Sequence, residues 1–171
     1  MLKVGDPAPE FDLQSDTAGE VKSSDLKDRR YVLYFYPRDD TPGCTVEACN
    51  FRDNLPKFDK LSVPLFGVSF DDVDSHGKFT KKFSLNFPLL ADPDKKLIND
   101  YGVWVEKNMY GKKYMGTARA TFVIGADGIV EQVWEKVKPE GHAEEVLAYL
   151  NGEDAPEPAP KTKRTSKAVK K

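Results

Sequence analysis

Cysteine and histidine are both scarce in this chain of 171 residues, with two of each, and the scarcity narrows what the protein can be. A small secreted fold stapled by disulfides needs several cysteine pairs, so that class is excluded. His76 and His142 are far apart, and no His-x3–5-His pair accompanies the Cys-x4-Cys spacing, which makes zinc a poor assignment. No metal or organic cofactor is expected. No stretch reaches the ~20 consecutive apolar residues of a membrane-spanning helix. No apolar run follows a basic start in residues 1–7, so no secretory leader is expected either. The net charge is −2, too small to draw the chain toward nucleic acid or a membrane surface. What remains is a cytoplasmic chain, long enough to bury a real core as one domain.

The end of the chain separates from the rest. From Glu153 it reads EDAPEPAPKTKRTSKAVKK, with no aromatic residue and six Lys or Arg against three Asp or Glu. Such a segment has too little to bury to offset its ordering entropy. Residues 1–152 are therefore expected as the folded domain, and residues 153–171 as a disordered Pro/Ala then Lys-rich tail. A solubilising role suits the tail; weak nonspecific contact with nucleic acid is the functional alternative.

Within residues 1–152, strand-like and helix-like stretches alternate. Residues 31–36 form a continuous aromatic-rich apolar run, as in a strand covered on both faces, and residues 63–70 form another. Between them, residues 45–61 read as helix until Pro56 interrupts or ends a turn. Residues 71–84 predict a helix with Val73, Phe79 and Phe83 on its buried side, and residues 94–101 a shorter one. An Asp127-Gly128 turn between two β-rich runs, 120–124 and 129–134, predicts a hairpin. A last helix over 139–150 starts with Pro139 in its first turn. The order points to an α/β fold, a mixed β-sheet flanked by α-helices. His76 and His142 sit in polar helical surroundings and are expected at the surface. Tyr101, Trp104, Tyr110 and Tyr114 could wall a pocket, but core packing is the expected role for most of them.

The informative stretch runs from Tyr36 to Cys49. It sets Cys44 just after a buried strand, in the opening turn of the next helix, where free N–H groups and the helix dipole favour a thiolate. Thr41 can present a hydroxyl to that sulfur or to a substrate oxygen, and is also an N-cap candidate. Pro37 and Pro42 stiffen the loop. Two neighbouring thiols can be inert, but five residues on one helix set their Cα atoms almost ~9 Å apart, beyond the roughly 7 Å a disulfide tolerates. A static structural bond is thus disfavoured, whereas one that forms when the first turns unwind is allowed.

The motif Tyr-Pro-x-x-x-Thr-x-x-Cys resembles the active-site motif of the peroxiredoxins. The second cysteine five residues on is similar to the bacterioferritin comigratory protein (PrxQ-type) branch. Gly5-Asp6-x-Ala8-Pro9-x-Phe11, Phe87-Pro88-Leu89-Leu90-Ala91-Asp92, Tyr101-Gly102-Val103-Trp104, residues 110–116 and Arg119-Ala120-Thr121-Phe122-Val123-Ile124 keep it company, over roughly the first 150 residues. The resemblance implies a thioredoxin-like fold and reduction of hydrogen peroxide or alkyl hydroperoxides. It implies Cys44 as the peroxidatic nucleophile, shielded by Pro37, with Thr41 hydrogen-bonded to the sulfur and the peroxide. It also implies Arg119 beside the thiolate and Cys49 as the resolving thiol in an intramolecular disulfide. Thioredoxin or a similar dithiol would recycle the protein, which is expected as a monomer.

Elementary chemistry agrees with these roles. Thiolate attack on a peroxide builds negative charge on the departing oxygen, which a guanidinium stabilises without losing its proton. Glu47, one helical turn after Cys44, could orient Arg119 or merely complement the helix dipole. Two rivals stand beside a peroxidase. A thioredoxin-like disulfide reductase would favour a Cys-x-x-Cys spacing instead. A noncatalytic thioredoxin-fold binding module would leave the two thiols idle.

Overall fold

The apolar run that begins at Tyr31 becomes the middle strand of a five-stranded sheet. The computed structural model describes residues 1–152; the expected tail, 153–171, lies outside the described residues. In chain order the elements are β1 (Asp12–Gln14), β2 (Glu20–Lys22), a 3-10 turn (Ser23–Leu26), β3 (Tyr31–Phe35), α1 (Pro42–Lys60), β4 (Leu65–Ser69) and α2 (Val73–Phe83). Then follow β5 (Leu89–Ala91), α3 (Lys96–Asp100), β6 (Trp104–Met109), β7 (Lys112–Thr117), β8 (Ala120–Ile124), β9 (Val130–Trp134) and α4 (His142–Leu150). The sheet order is β5-β4-β3-β8-β9, with β3, β4 and β5 parallel and β8 and β9 antiparallel. This is the mixed, thioredoxin-like α/β architecture expected from the sequence. No helix among the described residues is long and apolar enough to cross a membrane.

Strand alternation divides the core in two. Val32, Tyr34 and Tyr36 face one side, where they pack with Cys44, Ala48, Phe51 and Phe58 of α1, Phe79 of α2 and Val146 of α4. Tyr31, Leu33 and Phe35 face the other, against Leu97 and Ile98 of α3, Tyr101 and Phe122. Tyr34 stacks on Phe51 at 4.6 Å between ring centroids. Gly67 of β4 makes room for it, since a Cβ there would lie 2.9 Å from the Tyr34 ring. Burying a side chain of Phe51's size contributes about 1.5–3 kcal/mol, so the rear of α1 is held firmly to the sheet.

Pro56 neither interrupts nor ends α1, contrary to expectation. Proline removes the N–H that would bond the carbonyl four residues earlier, here that of Arg52. The Asn86 side chain donates to that same carbonyl at 3.2 Å, so the helix runs on. The expected start of α4 at Pro139 is also corrected. Gly141, at φ 77°, lies in the left-handed region, and the helix begins only after it. Both histidines are fully buried rather than at the surface, because each shares a helix face with core residues, His76 with Phe79 and His142 with Val146. Among the aromatics, Tyr101 is core as expected, but Tyr110 is 99% exposed and Tyr114 is exposed too. Tyr110 and Gly111, at φ 53° and 80°, form the two-residue turn of the β6–β7 hairpin, so the Tyr110 ring projects outward.

Candidate active site

The end of β3 delivers Tyr36 and Pro37 to a short loop, and the loop delivers Thr41 to the start of α1. Thr41 is the N-cap residue, with extended backbone at φ −98°, and Pro42 takes the first helical position, where its missing N–H costs nothing. Cys44 follows in the first turn and is 1% exposed. Its side chain is buried in the apolar cluster behind the sheet, at the end of α1 where the helix dipole favours negative charge.

Arg119 arrives from the neighbouring strand, on the same face of the sheet as Cys44. The register pairs Phe35 with Ala120, so Arg119 lies one residue beyond β8, at the edge where β3 turns toward α1. Its Nη2 donates to Cys44 Sγ at 3.5 Å, and its Nη1 donates to Glu47 Oε1 at 2.8 Å. Glu47 shares the Cys44 face of α1, three residues on, and its side chain is wholly buried. Glu47 thus holds Arg119 rather than merely complementing the helix dipole. Burial raises the Glu47 pKa, with His142 and Arg119 pulling it back. For Arg119, burial opposes the charge, but Cys44 and Glu47 outweigh it and raise the pKa.

Pro37 is half-buried in the loop. The Thr41 hydroxyl donates to the Arg38 carbonyl at 3.0 Å and makes no cap bond of its own. Its single proton is thus engaged away from the sulfur, and serving thiolate or peroxide requires a rotation of the hydroxyl. Cys49 is half-buried, Cys44 and Cys49 are both free thiols, and α1 is continuous through both.

Two residues of the site escape a reading of the sequence. Gly43 lies directly against Arg119, for a Cβ at that position would come within 2.9 Å of Nη2 and push the end of the guanidinium aside from the sulfur. Lys107 of β6 brings a second cation to the same neighbourhood. Burial and the charge of Arg119 lower its pKa, while Cys44 acts in the opposite sense. A motif search finds neither, because each is defined by a partner distant in sequence. A groove of about 900 Å³, lined by Phe11, Tyr31, Leu97 and Gly128, lies at the opposite end of β3 from Cys44 and takes no part in this arrangement.

A buried cysteine at a helix start, faced by an arginine from the neighbouring strand of a thioredoxin-like sheet, defines a class of thiol-based peroxide reductases. Comparison with known proteins agrees. The AhpC/TSA family profile matches residues 4–133. The chain is 46% identical over 149 residues to a putative peroxiredoxin Bcp of Coxiella burnetii, covering 87% of this chain and 99% of that protein. It is 45% identical over 149 residues to peroxiredoxin Bcp of Bacillus subtilis, covering 87% and 95%. Among solved structures, the bacterioferritin comigratory protein of Xanthomonas campestris matches with TM-score 0.78 and 42% identity, over 83% of this chain and 90% of that one. A cysteine-to-serine mutant of Xylella fastidiosa PrxQ matches with TM-score 0.84 and 36% identity, over 89% and 97%. The chain belongs to the AhpC/TSA family, as a peroxiredoxin of the Bcp, or PrxQ, type. It is a peroxidase that uses a thiol.

Proposed function

We propose that Cys44 is the thiolate that attacks the peroxide and that Cys49 resolves the product. The observation that carries this is the contact of Arg119 Nη2 with Cys44 Sγ at 3.5 Å, made at the start of α1. The thiolate attacks one oxygen and the O–O bond breaks. The sulfur becomes a sulfenic acid, and the other oxygen leaves with the electron pair and takes a proton to become water or an alcohol. Arg119 lies where that charge develops, and Glu47 holds Arg119 in place. Thr41 would turn its hydroxyl toward the reacting oxygens, and Pro37 would limit access of water.

The Cys49 thiol then displaces the sulfenic hydroxyl as water, forming the Cys44–Cys49 bond. On an intact helix the two Cα atoms lie almost ~9 Å apart, so the first turns of α1 unwind for this step. An external dithiol, thioredoxin or similar, reduces the bond by exchange, supplying two electrons and two protons. For the same reading the substrates are hydrogen peroxide and alkyl hydroperoxides, and the protein works as a cytoplasmic monomer.

Titrating the reduced protein with peroxide and mapping the product by mass spectrometry tests the scheme. One equivalent should join Cys44 to Cys49, and Cys49→Ser should stop at sulfenic acid on Cys44. Cys44→Ser should keep the fold and consume no peroxide; normal turnover by that variant would sink the assignment.

A further inference from the structure

Asp39 is the one buried residue of the Pro37–Thr41 loop. A carboxylate rarely leaves water without partners, and this one is closely held. Tyr36 Oη donates to Oδ1 at 2.6 Å, while Ser75 Oγ and His76 Nδ1 each reach Oδ2 at 2.7 Å. The Asp39 backbone N–H donates to Asp71 Oδ2 at 2.8 Å, and Asp71 in turn accepts from Ser69 Oγ at 2.7 Å. Three side-chain donors converging on one carboxyl is the pattern of the ionised form.

His76 supplies the countercharge. Its Nε2 faces the Leu90 carbonyl at 2.9 Å, which can only accept, so Nε2 carries a proton. Its Nδ1 faces the Asp39 carboxylate, so a proton lies there too, and the ring is an imidazolium. Burial works against that charge. The hydrogen bond and charge of Asp39, the Leu90 carbonyl and Asp71 outweigh it and raise the His76 pKa.

This clamp joins the end of β3, the β4–α2 connection, the first turn of α2 and β5 at one point. Only Asp40, Thr41, Pro42 and Gly43 separate it from Cys44. Asp40 has φ 59°, a left-handed conformation that aspartate tolerates better than most side chains, and its carboxylate accepts from Lys82 Nζ of α2 at 2.9 Å. From the clamp, hydrogen bonds lead on into the helix. Thr41 Oγ1 donates to the Arg38 carbonyl, and the Thr45 N–H donates to the Thr41 carbonyl at 2.8 Å.

We propose that Asp39, held by His76, Ser75 and Tyr36, is a positioning residue that keeps the Pro37–Thr41 loop and the first turn of α1 closed, and so sets how often that turn unwinds to bring Cys44 to Cys49. The proposal rests on the peroxidase reading above for its consequence, though the clamp itself is measurable without peroxide.

The test uses the reduced full chain and three variants: Ser75→Ala, which removes one donor and leaves the ion pair, then His76→Gln and Asp39→Asn. Amide hydrogen exchange is followed along α1. In His76→Gln and Asp39→Asn, residues 44–47 should exchange at least about tenfold faster, as expected from losing a hydrogen bond to a charged group, while residues 51–58 keep their protection. Ser75→Ala should move the same amides by less, which keeps the test valid if a harsher variant folds poorly. Under excess peroxide, the same variants should form more Cys44–Cys49 disulfide and less sulfinic acid at Cys44. Unchanged exchange in all three variants, or equal acceleration along the whole of α1, would overturn the clamp. If instead wild-type Cys44 ignores peroxide, the catalytic reading fails and the exchange result alone decides the clamp.

Discussion

Replacing Arg119 with methionine separates what the guanidinium does for the sulfur from what it does for the fold. At 3.5 Å from Cys44 Sγ, a unit charge pair is worth about 4–5 kcal/mol at an effective dielectric near 20. The Arg119 side chain keeps 19% of its exposure, and solvent screens part of that interaction, leaving about 2 kcal/mol for the reacting sulfur and the departing oxygen. The second-order rate of peroxide attack, measured by stopped flow under single-turnover conditions, should fall about 30-fold. Stability should fall too, by up to about 3 kcal/mol, since Glu47 is left buried without its countercharge. Adding Glu47→Gln removes the stranded carboxylate, so the double variant should regain stability in urea but not the rate. A single variant within about threefold of wild type, or a double variant that regains the rate, would refute the role given to Arg119.

Gly43→Ala should act in the opposite sense on the two quantities. Alanine favours the helix by up to about 1 kcal/mol, yet its methyl group displaces Arg119, so the attack rate should drop about tenfold without loss of thermal stability; an unaltered rate would show that the close approach is irrelevant. His76 predicts a pH dependence. Its pKa is raised above the ordinary 6.5, so its contribution to stability is complete below pH 6.5 and is lost as pH rises through the folded value. Asp39 and Asp71 are the charged groups that face it, with the Tyr36 hydroxyl beside them. The melting-temperature gap between wild type and His76→Gln should therefore narrow as pH rises past 6.5; a constant or widening gap contradicts the imidazolium.

What the sequence made legible was local. The run at Tyr31–Tyr36 is apolar on both faces and could only be an interior strand, and Asp127-Gly128 carries its turn chemistry in two residues. Cys44 was recognisable because strand end, proline, threonine and cysteine follow one another along the chain. The misreadings have partners elsewhere. Polar neighbours made His76 and His142 look exposed, because Asp39 and Thr121, which satisfy them, lie 37 and 21 residues away. Pro56 looked like a helix breaker because nothing nearby announces Asn86. The β6–β7 hairpin was missed because its strands are too polar to stand out and its turn is Tyr110-Gly111 rather than a familiar Asn-Gly. Gly43 shows no partner along the chain until Arg119 is folded against it.

Asn50 gives the two cysteines unequal freedom. The start of α4 has no side-chain cap of its own; instead the Ala143 N–H donates to Asn50 Oδ1 at 2.7 Å, and Asn50 Nδ2 reaches Glu144 Oε1 at 3.0 Å. The residue after Cys49 is therefore fastened to a second helix, and Phe51 behind it is fastened to the sheet. If the proposed Cys44–Cys49 bond forms, Cys44 would have to travel while Cys49 stays in place. A bond between them would always be presented at the same address, the face of α1 that already carries Cys49. In the proposed cycle the part of α1 from Asn50 onward would be the surface that the unwinding of the first turns leaves in place.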